Sequence, residues 1–250
     1  MFELLFKPRP HRVLAALISS EPRETRLHAI QIGANDGILA DPLDPMLKRF
    51  ANLYASRVEP IDNYYKSLLR NCASSVYSGR VKCIHAAVSS VDGYEEMILP
   101  GEGHAHNEMM QGLARLSSVQ NVSGYDESDW QSLRVRTISP DSLIQEALYP
   151  WADIYISDCE GYDVDLLELI PLSRMKTRVI CIEMEYSGCS SNSDLAEKMR
   201  RLWGILGENG FNSSVWDGFN LVAWKSPASW SSRRPRLIQR DFDPDRFHPS

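Results

Sequence analysis

No run in this chain approaches the ~18 consecutive apolar residues that span a bilayer, and the apolar stretch nearest the amino terminus, Val13 to Ile18, is too short and lies too far in for a secretory signal. Cysteine is sparse as well. Cys72, Cys83, Cys159, Cys181 and Cys189 are odd in number and show no Cys-x-x-Cys spacing, which argues against a disulfide framework or a zinc ribbon and for buried thiols in a reducing compartment. A soluble, cytoplasmic protein without a membrane span is the expectation. Basic charge is also in short supply: 27 Lys and Arg face 33 Asp and Glu, a net charge of −6. A duplex-binding face must neutralise phosphates, so nucleic acid is not expected as a partner. At 250 residues, 43% hydrophobic, the chain is long enough for one sizeable core, and one domain is the default.

What is present is organised around His28-Ala29-Ile30-Gln31-Ile32-Gly33-Ala34-Asn35-Asp36-Gly37. The apolar run suits a buried parallel strand, and Gly33 and Gly37 allow a tight turn with a ligand close to the backbone. Further on, Arg57-Val58 ends in Glu59-Pro60, placing a carboxylate at the carboxyl edge of the neighbouring strand, where such an acid accepts hydrogen bonds from ribose hydroxyls. The third glycine of a dinucleotide fingerprint is absent, so a pyrophosphate lacks its cradle. A nucleoside without phosphate fits better, and S-adenosylmethionine, an adenosyl sulfonium cation, suits an acidic pocket rich in glycine.

In chain order, His11 to Ser19 reads as a short amphipathic helix and Asp44-Pro45 as the opening of a helix through Ala55, capped by Asp44. A helix from Asp62 through Leu69 follows, and Val81 to Val88 reads as the third strand of a βαβ alternation. The small residues Ala86 and Ala87 at its end leave room for a flat base, which places adenine beside His85, Ala86 and Ala87. From Ser89 to Leu133 the helical rhythm stops. Gly93 to Leu99 reads as an edge strand, and the remainder, with His104, His106, Met109 and Met110, as an insertion or lid facing the substrate.

Arg134 to Ile138 alternates like a strand, and Ser139-Pro140 caps a helix through Ala147. Ile154 to Ser157 reads as the fourth parallel strand. Asp158, Glu160 and Asp163 crowd carboxylates just beyond it, at the rim where open α/β sheets bind ligands. Asp163 is assigned the structural role of helix cap. Strand five, Val179 to Glu183, ends in Glu183-Met184-Glu185, and a helix from Ser193 to Glu208 leads to a hairpin of Asn212 to Trp216 with Asn220 to Trp224. Residues 1–26 thus form an amino-terminal helical segment, 27–225 the main domain with its insertion at 89–133, and 226–250 a tail carrying Arg233, Arg234, Arg236, Arg240 and Arg246.

Three pieces in this order, Ile32-Gly33-Ala34-Asn35-Asp36-Gly37, Val58-Glu59-Pro60 and Asp158-Cys159-Glu160-Gly161-Tyr162-Asp163, resemble the FkbM family of S-adenosylmethionine-dependent methyltransferases. Ala86-Ala87-Val88, Thr137 to Leu143 and Ile182-Glu183 add weaker matches. The resemblance implies an α/β fold of the class I methyltransferase (Rossmann-like) type, a three-layer sandwich whose seven-stranded, mostly parallel sheet has an antiparallel last strand. It implies O-methylation of a hydroxyl on a small molecule, glycan or lipid. Gly33, Asn35 and Gly37 would then line the methionine moiety, Glu59 the ribose and the Asp158 region the neighbourhood of the methyl group, with Gln31, Ala34, Asp36 and Pro60 also in the cofactor site. Gln31 stands where the family often has an acid, and Ile156 where it often has a lysine.

Methyl transfer from a sulfonium is an in-line displacement in which the donor is already activated, so alignment and exclusion of water dominate. A hydroxyl acceptor needs a base. Asp158 is the first candidate, with Glu160 and Glu183 in reserve. A magnesium ion on Asp158, Glu183 and Glu185 is a weaker alternative, and no metal is assigned. A nicotinamide-dependent oxidoreductase and a non-catalytic module that binds cofactor are the competing functions.

Overall fold

The computed structural model describes residues 10–101, 114–118, 130–184 and 192–226 of the 250. Helix α1, Pro10–Ser20, buries Val13, Leu14 and Ile18, the apolar positions of its amphipathic pattern. Strand β1, Leu27–Ile32, is buried on both faces along its whole length. After the glycine turn comes α2, Asp44–Arg49, shorter than the helix to Ala55 that the sequence suggested. Its cap position is Leu43, with Asp44 already inside the first turn, because Asp41 takes the capping role: its Oδ1 accepts the amides of both Leu43 and Asp44 at 2.7 Å. The chain re-enters the sheet early, as β2, Leu53–Val58, and α3 then runs over Asp62–Cys72.

Val81 to Val88, expected as one strand, is divided. Strand β3, Val81–Ile84, pairs with β2, whereas β4, Ala87–Val88, leaves for a second sheet. That sheet is completed by β5, Gly93–Pro100, β6, Arg115–Leu116, and β7, Trp130–Ile138, in the order β4-β7-β5-β6. The long antiparallel register of β5 on β7, from Gly93 opposite Thr137 to Pro100 opposite Trp130, pairs the expected edge strand with a strand that begins at Trp130, four residues before the expected start. His104, His106, Met109, Met110, Glu185 and the arginines of the tail lie outside the described residues.

Helix α4, Pro140–Glu146, starts at a Ser139 cap whose Oγ accepts the Ser142 amide, as its sequence requires. Strand β8, Ile154–Ser157, helix α5, Asp163–Leu169, strand β9, Val179–Glu183, and helix α6, Asn192–Glu208, follow. The hairpin of β10, Ser213–Trp216, and β11, Asn220–Trp224, closes the domain.

The main sheet has the order β10-β11-β9-β8-β1-β2-β3. Five strands are parallel and β11 is antiparallel to β9, which is the class I methyltransferase arrangement. Two apolar layers cover its faces. Ile30, Ile32, Tyr155, Ile180 and Leu221 pack with residues of α4, α5 and α6, while Leu27, Ala29, Ile154 and Val222 pack with α1 and α2. Burying one such side chain contributes roughly 1.5–3 kcal/mol, so these layers supply most of the cohesion. Among the described residues no helix is long and apolar enough to cross a membrane.

One row in the α1 and α2 layer is polar. Gln31, Arg57 and Cys83 are register partners across β1, β2 and β3. Arg57 is 1% exposed, donates Nε to Gln31 Oε1 at 2.9 Å and Nη2 to the Gly37 carbonyl at 3.1 Å, and pairs with the Asp41 carboxylate, which also receives Gln31 Nε2 at 2.8 Å. Removing one member of a buried ion pair strands the other charge. Arg57→Met is therefore expected to destabilise the chain by about 3–5 kcal/mol in urea unfolding, and adding Asp41→Asn to recover part of that loss.

Candidate active site

The strand order reverses between β1 and β8, and there the carboxyl ends of the strands frame a cavity of about 650 Å³. Gln31, Gly33, Ala34 and Asn35 line it from the first turn, Glu59 and Pro60 from the end of β2, Ala87 from β4, Asp158 and Glu160 from the loop after β8, and Glu183 from the end of β9. Among the other residues singled out from the sequence, Asp36, Gly37, His85 and Ala86 do not line it. Asp36 folds the turn from outside, its Oδ1 accepting the amides of Ile38 and Leu39 at 2.8 and 2.9 Å. Gly37 lies against Arg57 and Leu68, where an added Cβ would come within 2.7 Å of the guanidinium and 2.5 Å of the leucine. His85 stacks on Tyr65 with ring centroids 4.3 Å apart, and its Nε2 is 3.1 Å from the Pro60 carbonyl.

Gly33 is required by two constraints at once. Its φ of +74° favours glycine, and a Cβ there would sit 1.9 Å from the Asp158 carbonyl oxygen. The turn and the loop after β8 therefore touch, backbone against backbone. Gly33 and Ala34 donate their amides to the Val58 carbonyl at 3.1 and 3.0 Å, and Asp158 donates its own to the Ile32 carbonyl at 3.1 Å.

Glu59 is 4% exposed and holds the next corner. Its Oε2 accepts the Asn35 amide at 2.8 Å, with Asn35 in the left-handed conformation at φ +47°, and its Oε1 accepts the Ile61 amide at 2.9 Å. Burial pushes this carboxyl up to about 7, although both amides oppose the shift. Each oxygen keeps a lone pair for a further donor in the cavity.

On the opposite side, carboxylate oxygens of Asp158, Glu160 and Glu183 all lie within 4.8 Å of one another. Burial pushes Glu183 up to about 10, and the charges of Asp158 and Glu160 add to the effect. Burial and the neighbouring acids thus favour the protonated form of Glu183 beside Asp158. Such a trio can move a proton, or hold a hard cation through oxygen ligands. It contains Asp158 and Glu183 of the set read from the sequence for a cation, together with Glu160, while Glu185 lies outside the described residues. Asp163 stands behind the trio in a structural role, though not as the helix cap, which is Tyr162; it accepts the Ser157 hydroxyl and the Cys159 amide, and burial raises it to about 7.

Sequence reasoning placed a substrate-facing insertion over residues 89–133 but named none of the residues by which the roof lines the cavity, and it missed one wall. Ile61, Met97 and Leu116 form an apolar cluster beside Ala87, and with Tyr64 and Arg115 they face the cavity. His11 of α1, Asp41, Phe219 and Asn220 complete the lining. Asp41 had a signal in its Asp-x-x-Asp-Pro spacing before a helix. The roof had none, because its residues meet only through the pairing of β5 with β6 and β7.

No family model and no curated protein matches the chain. Several solved structures resemble it distantly. The METTL16 MTase domain is 12% identical with a TM-score of 0.44, over 87% of this chain and 66% of that one, so the chain spans just under two thirds of its length. A methyltransferase FkbM from Methylobacillus flagellatus KT is 12% identical with a TM-score of 0.46, over 86% of this chain and 48% of that one. The Methanococcus jannaschii fibrillarin pre-rRNA processing protein is 12% identical with a TM-score of 0.44, over 88% and 77%. Likeness at this level carries nothing about activity, and the fold rests on the strand order and directions given above. One expectation is withdrawn: that nucleic acid is not a partner, since a pre-rRNA processing protein stands among these structures.

Because Glu183 is shifted upward, its contribution to stability is complete below its ordinary value of 4.5 and is lost as pH rises toward about 10. The melting temperature is expected to fall between pH 7 and pH 10, a window above the titrations of Glu59 and Asp163 near 7, and Glu183→Gln to flatten that fall in calorimetric scans.

Proposed function

We propose that the chain is an S-adenosylmethionine-dependent methyltransferase acting on a hydroxyl of a small molecule, glycan or lipid. The observation that carries this reading is the single cavity running from the glycine turn and Glu59 to the Asp158, Glu160 and Glu183 trio. The FkbM-like order of its motifs in the sequence points the same way, and membership of that family is part of the proposal.

In this reading the ribose hydroxyls donate to the two oxygens of Glu59, which the amides of Asn35 and Ile61 hold in place. The adenine lies against Ile61, Ala87, Met97 and Leu116, an apolar slot of the kind a flat base fills. The turn at Gly33 and the acidic rim would hold the methionine end, where negative charge favours a cation, and the bound donor would supply an activated methyl group. Asp158 takes the proton released by the acceptor hydroxyl, and Glu183 holds Asp158 in position. The roof and α1 exclude water and present the acceptor.

Ionised Glu59 is the form that accepts two hydroxyls, so affinity for S-adenosylhomocysteine should fall as pH drops below about 7. Glu59→Gln is expected to weaken binding at pH 8 about tenfold in titration calorimetry, the size of one charged hydrogen bond, and to remove the pH dependence. Asp158→Ala is expected to retain S-adenosylhomocysteine binding and lose turnover, measured as labelled methyl transfer to a panel of hydroxyl acceptors that includes RNA. Failure of the unaltered chain to bind S-adenosylhomocysteine, while binding NADH, would replace this reading with the oxidoreductase.

A further inference from the structure

The polar row that holds Arg57 ends at two cysteines for which the proposed reaction has no use. Cys83 in β3 is the register partner of Arg57, and Cys72 is the last residue of α3. Arg57 donates Nη1 to Cys72 Sγ at 3.6 Å, so both thiols neighbour one guanidinium, and they lie close enough to shift each other's titration in opposite directions. Both are free and partly exposed, so a small reagent can reach them. The glycine turn is held once from this helix end and once from Arg57. Asn71, next to Cys72, donates Nδ2 to the Asp36 carbonyl at 2.8 Å, and Arg57 donates Nη2 to the Gly37 carbonyl at 3.1 Å.

We propose that Cys72 and Cys83 form a peroxide-reactive modification site, whose oxidation to a disulfide releases the clamp that Arg57 and Asn71 place under the glycine turn. A thiolate beside a cation, with a second thiol in contact, is the arrangement of an attacking cysteine and its resolving partner. The hydrogen bond from Cys83, followed by the charge of Arg57, holds Cys72 down at about 7, while the same bond and burial push Cys83 up. Among the described residues the other two cysteines are poorly placed for this chemistry: burial raises Cys159 well above its ordinary value and Cys181 to about 12.

The step balances as follows. The Cys72 thiolate attacks one oxygen of hydrogen peroxide, the O–O bond breaks, and hydroxide departs and is protonated by solvent to water. Cys72 is left as a sulfenic acid. The Cys83 sulfur then attacks the Cys72 sulfur, the S–O bond breaks, and hydroxide leaves with the Cys83 proton as a second water. The two sulfurs have given up two electrons to the peroxide. The neutral disulfide no longer accepts from Arg57 as a thiolate does, and the last turn of α3 is drawn toward β3, away from Asp36.

The test uses the full chain and needs no cofactor, so its outcome is independent of the function proposed above. The chain is treated with a small molar excess of hydrogen peroxide at neutral pH, free thiols are alkylated, and the non-reduced digest is read by mass spectrometry. A linked peptide pair carrying Cys72 and Cys83, two hydrogens lighter and reversed by dithiothreitol, is the expected product. Cys83→Ser should instead leave Cys72 as a sulfenic acid trapped by dimedone, and Cys72→Ser should leave Cys83 unoxidised. Amide exchange at Leu43 and Asp44, whose protons Asp41 holds beside Arg57, should accelerate at least about threefold on oxidation. Peroxide consumption at other cysteines with Cys72 still reduced would overturn the site. A disulfide that leaves exchange over residues 33–44 unchanged would overturn the link to the turn.

Discussion

A buried guanidinium underlies the ligand-binding edge of this sheet. Arg57 lies one residue before the end of β2, where an apolar residue would continue the layer formed by Leu53 and Ala55, and it is accommodated there by acceptors at Gln31, Cys72, Gly37 and Asp41. A charge in such a place is tolerated only when it is paired and fully hydrogen-bonded. Asp41 supplies the pairing and also caps α2, so the segment from Gly37 to Asp44 is fixed by the same two side chains. Gln31, the residue in β1 that departs from the FkbM-like pattern, is the third member. Its amide bridges Arg57 and Asp41 instead of reaching forward as an acid would. The turn that shapes the cavity is thus held from beneath by polar contacts rather than by apolar packing.

Above that support, two acidic centres have opposite characters. Glu59 is held by two backbone amides, which fix its geometry and leave it able to accept more. Burial first, and then its neighbouring carboxylates, push Glu183 upward. In the proposed reaction the two environments divide the work, Glu59 accepting ligand hydroxyls and the pair of Glu183 and Asp158 handling a proton. Their separation across one cavity follows from the switch point, since β2 and β9 diverge on either side of the β1 and β8 pair.

The parts of this arrangement that were legible in the sequence are local. The run from His28 to Gly37 announced a strand and a turn because buried parallel strands read as apolar runs and only glycine relieves a close backbone approach, here that of Gly33 to the Asp158 carbonyl. Glu59 could be read because it ends the second strand, and the final hairpin because Asp217-Gly218 supplies its turn. The rest depends on contacts distant in the chain. Arg57 looked like an ordinary strand residue, since nothing local says that Asp41 will face it. His85 and Ala86 were expected beside a base, but the chain leaves the main sheet after Ile84, and the residue delivered to the cavity is Ala87. Neither β5 nor the start of β7 carries a turn signal linking it to the other, as the connection between them is long.

The departure after Ile84 has a wider consequence. Floor and roof of the cavity belong to different sheets, and the roof leaves the main body at His85 and rejoins it at the Ser139 cap of α4. The floor carries Glu59 and the acidic rim, while Met97 and Leu116 of the roof line the apolar slot and Arg115 faces the cavity beside them. Drift in the arm's sequence can therefore retune what is admitted without disturbing the strands that set the fold, which makes selectivity and architecture separately mutable in this chain.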